Sequence, residues 1–398
     1  MTTINRSTFI KILSRGIAKF LPFGEARWGS LLLLLLLFSC TNEVELDLPV
    51  SPRNVLLVYM GGDNNLSDET DQKIEAIRSG WKASDGDKLL IYQDAAGTAP
   101  TLTEIVNRNG QNTLNILKTY PEENSADPEV FARVISEVHG LYPLSGGRKA
   151  SLLVFSHASG WLPKGALLSP RSTTRSIIID GSDEMNLTDF ATAIPDNTFD
   201  YIVFEACFMA GIEVAYELKD KTNYILASSA EIVSPGFTES YPQTINNLFE
   251  NTPNLTQFAQ SSFDYFSNNT GYEQSATFSI IKTSELDNLA DFVKNNCDFN
   301  KEISLNDIQH FDRYSYRLFF DFEDYYSSLL ENDTQKTELS ALIEKAVIWK
   351  AATPSFMIGY NGFIINKHSG LTSYIPQERF AYLNNEYQKL KWSDSIIN

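Results

Sequence analysis

ASLLVFSHASGW (Ala150–Trp161) and YIVFEACFMA (Tyr201–Ala210) share one plan: an apolar run the length of a buried strand, then a reactive side chain within three residues of its end. The first delivers His157 and the second Cys207. Working outward, the same apolar pattern recurs in NVLLVYM (Asn54–Met60), KLLIY (Lys88–Tyr92) and YILA (Tyr224–Ala227), with amphipathic segments between. Strands that are apolar on both faces and alternate with helices form a parallel sheet covered on both sides. The predicted fold is therefore α/β, with a mostly parallel central sheet and helices on both faces.

Local signals fill in the rest. Gly61-Gly62 ends the first strand, and Asn65 or Ser67 is the expected cap of a helix running to about Trp81. Thr101–Val106 reads as a hairpin arm or edge strand. Asp127 and Pro128 open a helix to His139, as N-cap and first helical residue. Met185–Ala193 and Gly211–Lys219 read as further helices. Residues 240–350 are helix-rich, with a strand near Ala276–Ile281, and short β segments follow at Phe363–Ile365 and Leu371–Ile375.

The 398 residues are 43% hydrophobic, enough for one large α/β domain with embellishments or for two domains. The net charge is −18, and the 32 Lys and Arg residues are scattered. Nucleic-acid binding needs clustered cations to displace counterions, so that class is set aside. The cysteines, Cys40, Cys207 and Cys297, are too few for a disulfide framework, and no CxxC pair or His-rich cluster suggests a metal. Cys297, at a predicted helix end, reads as structural.

Residues 1–40 form an address. Five cations precede seven leucines (Leu31–Leu37), too short a run to span a bilayer, and LFSC follows, ending at Cys40. LFSC resembles a lipobox, with Cys40 the lipidated residue and residues 41–53 a tether. The expectation is an exported bacterial lipoprotein, anchored to the membrane in the periplasm or at the cell surface. That compartment is oxidising, so a lone thiol there needs a reason.

Catalytic groups in open α/β sheets collect beyond the C-terminal strand ends. If the strands before His157 and Cys207 are neighbours, both side chains leave the same sheet edge, where the imidazole activates the thiol. Singly, each residue has a bland explanation: a buried small cysteine, or a satisfied polar histidine at a loop start. Together they point to nucleophilic catalysis.

Four stretches also resemble the clostripain family of cysteine peptidases, in the caspase-like clan: VLLVYMGGDNNL (Val55–Leu66), SHASGW (Ser156–Trp161), FEACFMAGIEVAYEL (Phe204–Leu218) and ASSAEIVSPGF (Ala227–Phe237). The resemblance implies a caspase-like catalytic core over residues 54–245, with residues 246–398 a helix-rich part packed on it. It implies His157 as general base and Cys207 as nucleophile, with an oxyanion held by the backbone N–H groups of Cys207 and Ala158. Ala158 stands where the family usually has glycine, which raises a cost if the position needs positive φ. The family cleaves after Arg or Lys, using an acid two residues before the nucleophile; here that residue is Glu205 in place of Asp. Glu231 is a second candidate for the same pocket, while Asp63, Asp94 and Asp180 read as turn and cap residues. Family members are activated by cleavage between the His and Cys motifs, which directs attention to Arg171 in a basic loop. Some relatives need calcium, but no ligand set is legible here. The expected partners are protein or peptide substrates. Two other readings stay open: a non-catalytic binding lipoprotein of this fold, and a cysteine amidase.

Overall fold

The main sheet has nine strands: β1 (Asn54–Gly62), β2 (Asp87–Ala95), β3 (Thr101–Arg108), β4 (Gln111–Thr119), β5 (Ala150–Phe155), β6 (Phe199–Glu205), β7 (Thr222–Ser228), β8 (Thr277–Lys282) and β9 (Val347–Ala352). The computed structural model describes residues 52–164, 166, 177–250 and 252–397; the expectations for Cys40 and Arg171 lie outside them. The strand order is β9-β8-β7-β6-β5-β1-β2-β3-β4. From β7 to β2 all neighbours are parallel. The β3–β4 hairpin extends one edge and β8–β9 the other, both antiparallel.

Side-chain alternation explains why these runs are strands. In β1, Val55, Leu57 and Tyr59 enter one core layer, and Leu56, Val58 and Met60 the other. On the first face lie α2 (Pro128–Leu141), α3 (Leu187–Ala193) and α4 (Ile212–Glu217), contributing Phe131, Val134, Phe190 and Val214. On the second lie α1 (Ser67–Gly80) and α5 (Leu255–Ser267), contributing Ile74, Ile77 and Phe258. Asp127 caps α2 as expected, accepting from Glu129 N at 2.8 Å, with Pro128 in the first turn.

Strands with weak apolar signals escaped the sequence. β4 alternates exposed and half-buried residues, and only Val347 of β9 is buried. Through β8 and β9 the C-terminal part enters the sheet itself, and residues 51–398 form one compact unit. No helix among the described residues is long and apolar enough to cross a membrane.

The chain runs from β1 to β2 on one side of β1 and then returns to place β5 on the other. Such a reversal opens a crevice at the C-terminal strand ends, where α/β sheets bind ligands.

Candidate active site

Phe155 of β5 and Glu205 of β6 are register partners. His157 and Cys207 each lie two residues further on, so they leave neighbouring strand ends together. Both line an open cleft of about 290 Å³. Asn65, from the loop after β1, lines it too, and its Oδ1 lies 2.6 Å from His157 Nε2. Three adjacent strand ends thus supply a thiol, an imidazole and an amide.

The role of Asn65 corrects the expected helix cap. Leu66 occupies the cap position of α1, and no side chain caps it. Asn64 holds the turn instead: its Oδ1 accepts from Leu66 N at 2.9 Å, and its Nδ2 donates to Ile179 O at 2.9 Å. Asn65 is thereby left to face the ring.

The residue after the nucleophile, Phe208, has φ +62°. That conformation is costly for an aromatic residue, and its surroundings enforce it. Phe208 N donates to Ala230 O at 2.9 Å, Ala210 N to Ser228 O at 3.0 Å, and the Phe208 ring stacks on Phe319 with centroids 4.5 Å apart. The elbow presses on the histidine loop: a Cβ on Gly160, itself at φ +62°, would meet Phe208 O at 2.6 Å. Ser156 ties the strand ends together, donating to Gly61 O at 2.9 Å and accepting from Ile179 N at 3.1 Å. The left-handed residue of this loop is Gly160 and not Ala158, which is buried among apolar neighbours. The conditional cost at Ala158 therefore does not arise.

Glu205 needs a larger correction. Its side chain is 1% exposed and paired with Lys73, which is 0% exposed. Oε1 accepts from Lys73 Nζ at 2.6 Å and from Phe237 N at 2.6 Å, and Oε2 accepts from Tyr241 OH. Lys73 also donates to Pro235 O and Thr238 Oγ1, both at 2.9 Å, and lies over the Phe155 ring. A Cβ on Gly236 would fall 2.2 Å from Glu205 Oε1, so only glycine fits there. The carboxylate is neutralised and saturated, and it clamps the loop around Gly236 to α1 and β6. It is not available to a substrate cation.

Glu231 lies in the open part of the cleft. Arg313 meets it with two bonds, Nε to Oε2 at 2.6 Å and Nη2 to Oε1 at 2.8 Å, both side chains about one-quarter exposed. This pairing holds the Arg313 guanidinium above its ordinary pKa, with a smaller contribution from the nearby Cys207 side chain. Ile232 N, next to Glu231, donates to Cys207 Sγ at 3.4 Å. A donor on sulfur favours the thiolate.

A sequence profile of peptidase C11, the clostripain family, matches residues 58–390. The chain belongs to the clostripain family. A structure from Parabacteroides distasonis described as an inactive zymogen C11 protease is similar, with a TM-score of 0.77 and 30% identity, covering 88% of this chain and 99% of that one. A secreted C11 cysteine protease from Bacteroides thetaiotaomicron shares the fold, with a TM-score of 0.74 and 24% identity over 86% of this chain and 98% of that one. Clostripain from Hathewaya histolytica is 25% identical over 216 residues, 46% of this chain. The match spans 40% of that curated relative's length. The clostripain family's fold accounts for the parallel sheet and its helices, as the sequence resemblance implied.

Of the remaining sequence candidates, Asp180 accepts from Ser125 N at 2.6 Å and so fastens a loop. Asp94 is 3% exposed, and burial, with the Asp180 charge adding to it, pushes its carboxyl up to about 7. Burial raises the Cys297 thiol to about 12, in keeping with a structural role. Among the described residues no group of three or more His, Cys, Asp or Glu side chains could hold a metal ion. Asn65, Lys73 and Arg313 were missed as site residues. Lys73 left a trace, since it shares the 70/73/74/77 spacing of the buried face of α1.

Proposed function

We propose that this clostripain-family member is a cysteine endopeptidase that cleaves after Arg or Lys through Cys207 and His157. The observation that carries the reading is the pairing of two reactive side chains on register-matched strand ends, facing one cleft. With the Asn65 amide oxygen toward the ring, Nε2 carries the hydrogen and Nδ1 is the base. His157 takes the thiol proton, and the Cys207 thiolate attacks the scissile carbonyl carbon. The backbone N–H groups of Cys207 and Ala158 hold the resulting oxyanion. The C–N bond then breaks, His157 returns the proton to the leaving amine, and a water molecule, deprotonated by His157, hydrolyses the thioester.

Because Glu205 is sealed, the carboxylate that receives the basic side chain is Glu231. Hydrolysis of reporter peptides differing only in Arg, Lys or Gln before the cleaved bond tests this reading. Wild-type protein is expected to cut the Arg and Lys peptides, and Cys207→Ala neither. Activity surviving in Cys207→Ala would remove Cys207 as nucleophile, and preference for Gln would remove the basic specificity.

The reading extends to processing and location. Self-cleavage at Arg171 predicts clipped mass in wild-type protein and an intact Cys207→Ala chain. Lipid anchoring through Cys40 predicts incorporation of a labelled fatty acid, lost in Cys40→Ala.

A further inference from the structure

The cleft holds two acid–base pairs of opposite character. Lys73–Glu205 is closed: its side chains are 0% and 1% exposed, and each charged group has further partners. Arg313–Glu231 is open, with side chains 25% and 24% exposed. Arg313 reaches Glu231 through the two-pronged contact that an arginine makes with a carboxylate wherever one is recognised. Arg313 Nη1 also donates to Tyr360 O at 2.6 Å, on the C-terminal part of the chain. Glu231 belongs to the loop whose next residue contacts the Cys207 sulfur.

From this contrast we infer that Arg313 is a resident stand-in for the substrate's basic side chain: it occupies Glu231 until an incoming arginine or lysine displaces it. The inference rests on the reading of Glu231 as the specificity carboxylate, and it adds an autoinhibitory contact to that site. Exchange of one guanidinium for another leaves the number of charge-assisted bonds unchanged. A basic substrate therefore gains less from Glu231 in the wild-type cleft than it would from a free Glu231, and removing Arg313 restores the difference. A partly exposed bidentate pair of this kind predicts about a tenfold change in affinity.

Catalytic rate is a poor readout, because Arg313 also contributes to the field at Cys207. The test uses binding to the full chain carrying Cys207→Ala, measured by calorimetry with two peptide amides identical except for a C-terminal Arg or Gln. Adding Arg313→Gln is expected to tighten the Arg peptide about tenfold and leave the Gln peptide within about twofold. Adding Glu231→Gln as well is expected to abolish the gain. Arg313→Lys, which keeps the charge but loses the fork, gives an intermediate gain and serves if Arg313→Gln does not fold. Unchanged or weaker binding of the Arg peptide, equal tightening of both peptides, or no binding by any variant would overturn the inference. Failure of the peptidase reading appears separately, as wild-type protein that cleaves neither reporter.

Discussion

Asn65→Ala removes the amide contact that, in the proposed mechanism, orients the His157 ring. The amide oxygen lies 2.6 Å from Nε2. In the proposed mechanism the ring becomes an imidazolium, so the bond turns charge-assisted, a class worth about 1.5–3 kcal/mol net. Asn65 is exposed, and water screens and competes, so the lower figure of about 1.5 kcal/mol applies. At about 1.4 kcal/mol per decade, kcat should fall about tenfold. KM should hold, because the amide orients the base and does not contact the substrate's basic side chain. Asn65→Asp, which keeps the acceptor, should retain most of the rate. Stability should change by less than about 0.5 kcal/mol, since α1 draws no cap from this side chain. The assays are steady-state kinetics on an Arg reporter peptide and the rate of Cys207 alkylation by iodoacetamide, with thermal unfolding as control. A folded Asn65→Ala protein with kcat within twofold of wild type would refute the orienting role.

Lys73→Met leaves the Glu205 carboxylate buried without its counter-ion and should destabilise the chain by about 3–5 kcal/mol in denaturant unfolding. The double variant Lys73→Met/Glu205→Gln should recover much of that loss, and a single-variant cost under about 1 kcal/mol would contradict the closed-pair description. Asp94 holds its proton more tightly folded than unfolded, because burial lifts its carboxyl to about 7. Its contribution is full below about pH 4 and is lost as pH rises through about 7, so Asp94→Asn should gain about 3 kcal/mol over wild type at pH 8 relative to pH 4.5; parallel unfolding curves at the two pH values would exclude the effect. Ala158→Gly should not raise kcat, since Ala158 is not left-handed, and should cost up to about 1 kcal/mol through added freedom of the unfolded chain.

The legible parts of this protein are those where one physical signal dominates. β5 emerged at its observed bounds because all six of its residues are apolar or small and all are buried. The placement of His157 and Cys207 at one cleft was legible because a residue just past a buried strand has few places to go. β4 and β9 were not, because edge strands keep one face in water and need no apolar run. Asn65 was misassigned because two adjacent asparagines compete for one turn, and only the geometry shows that Asn64 takes it.

The charges at the cleft mark a deeper limit, and it bears directly on specificity. Read in sequence, Glu205 stands two residues before the nucleophile, where an acid would attract a cation from the substrate. In the fold the cation comes from position 73, at a sequence separation of 132, and its partners come from the loop around Gly236. Nothing near Cys207 in sequence signals that pairing. The one hint is a lysine on the apolar face of α1, a placement that requires a buried acid. With Glu205 spent internally, the proposed response to basic substrates rests on Glu231, in competition with Arg313. On that proposal, specificity in this cleft depends on two pairs with different exposure. Changing the acid at 205 should alter stability first, whereas changing the residue at 313 should alter selectivity first.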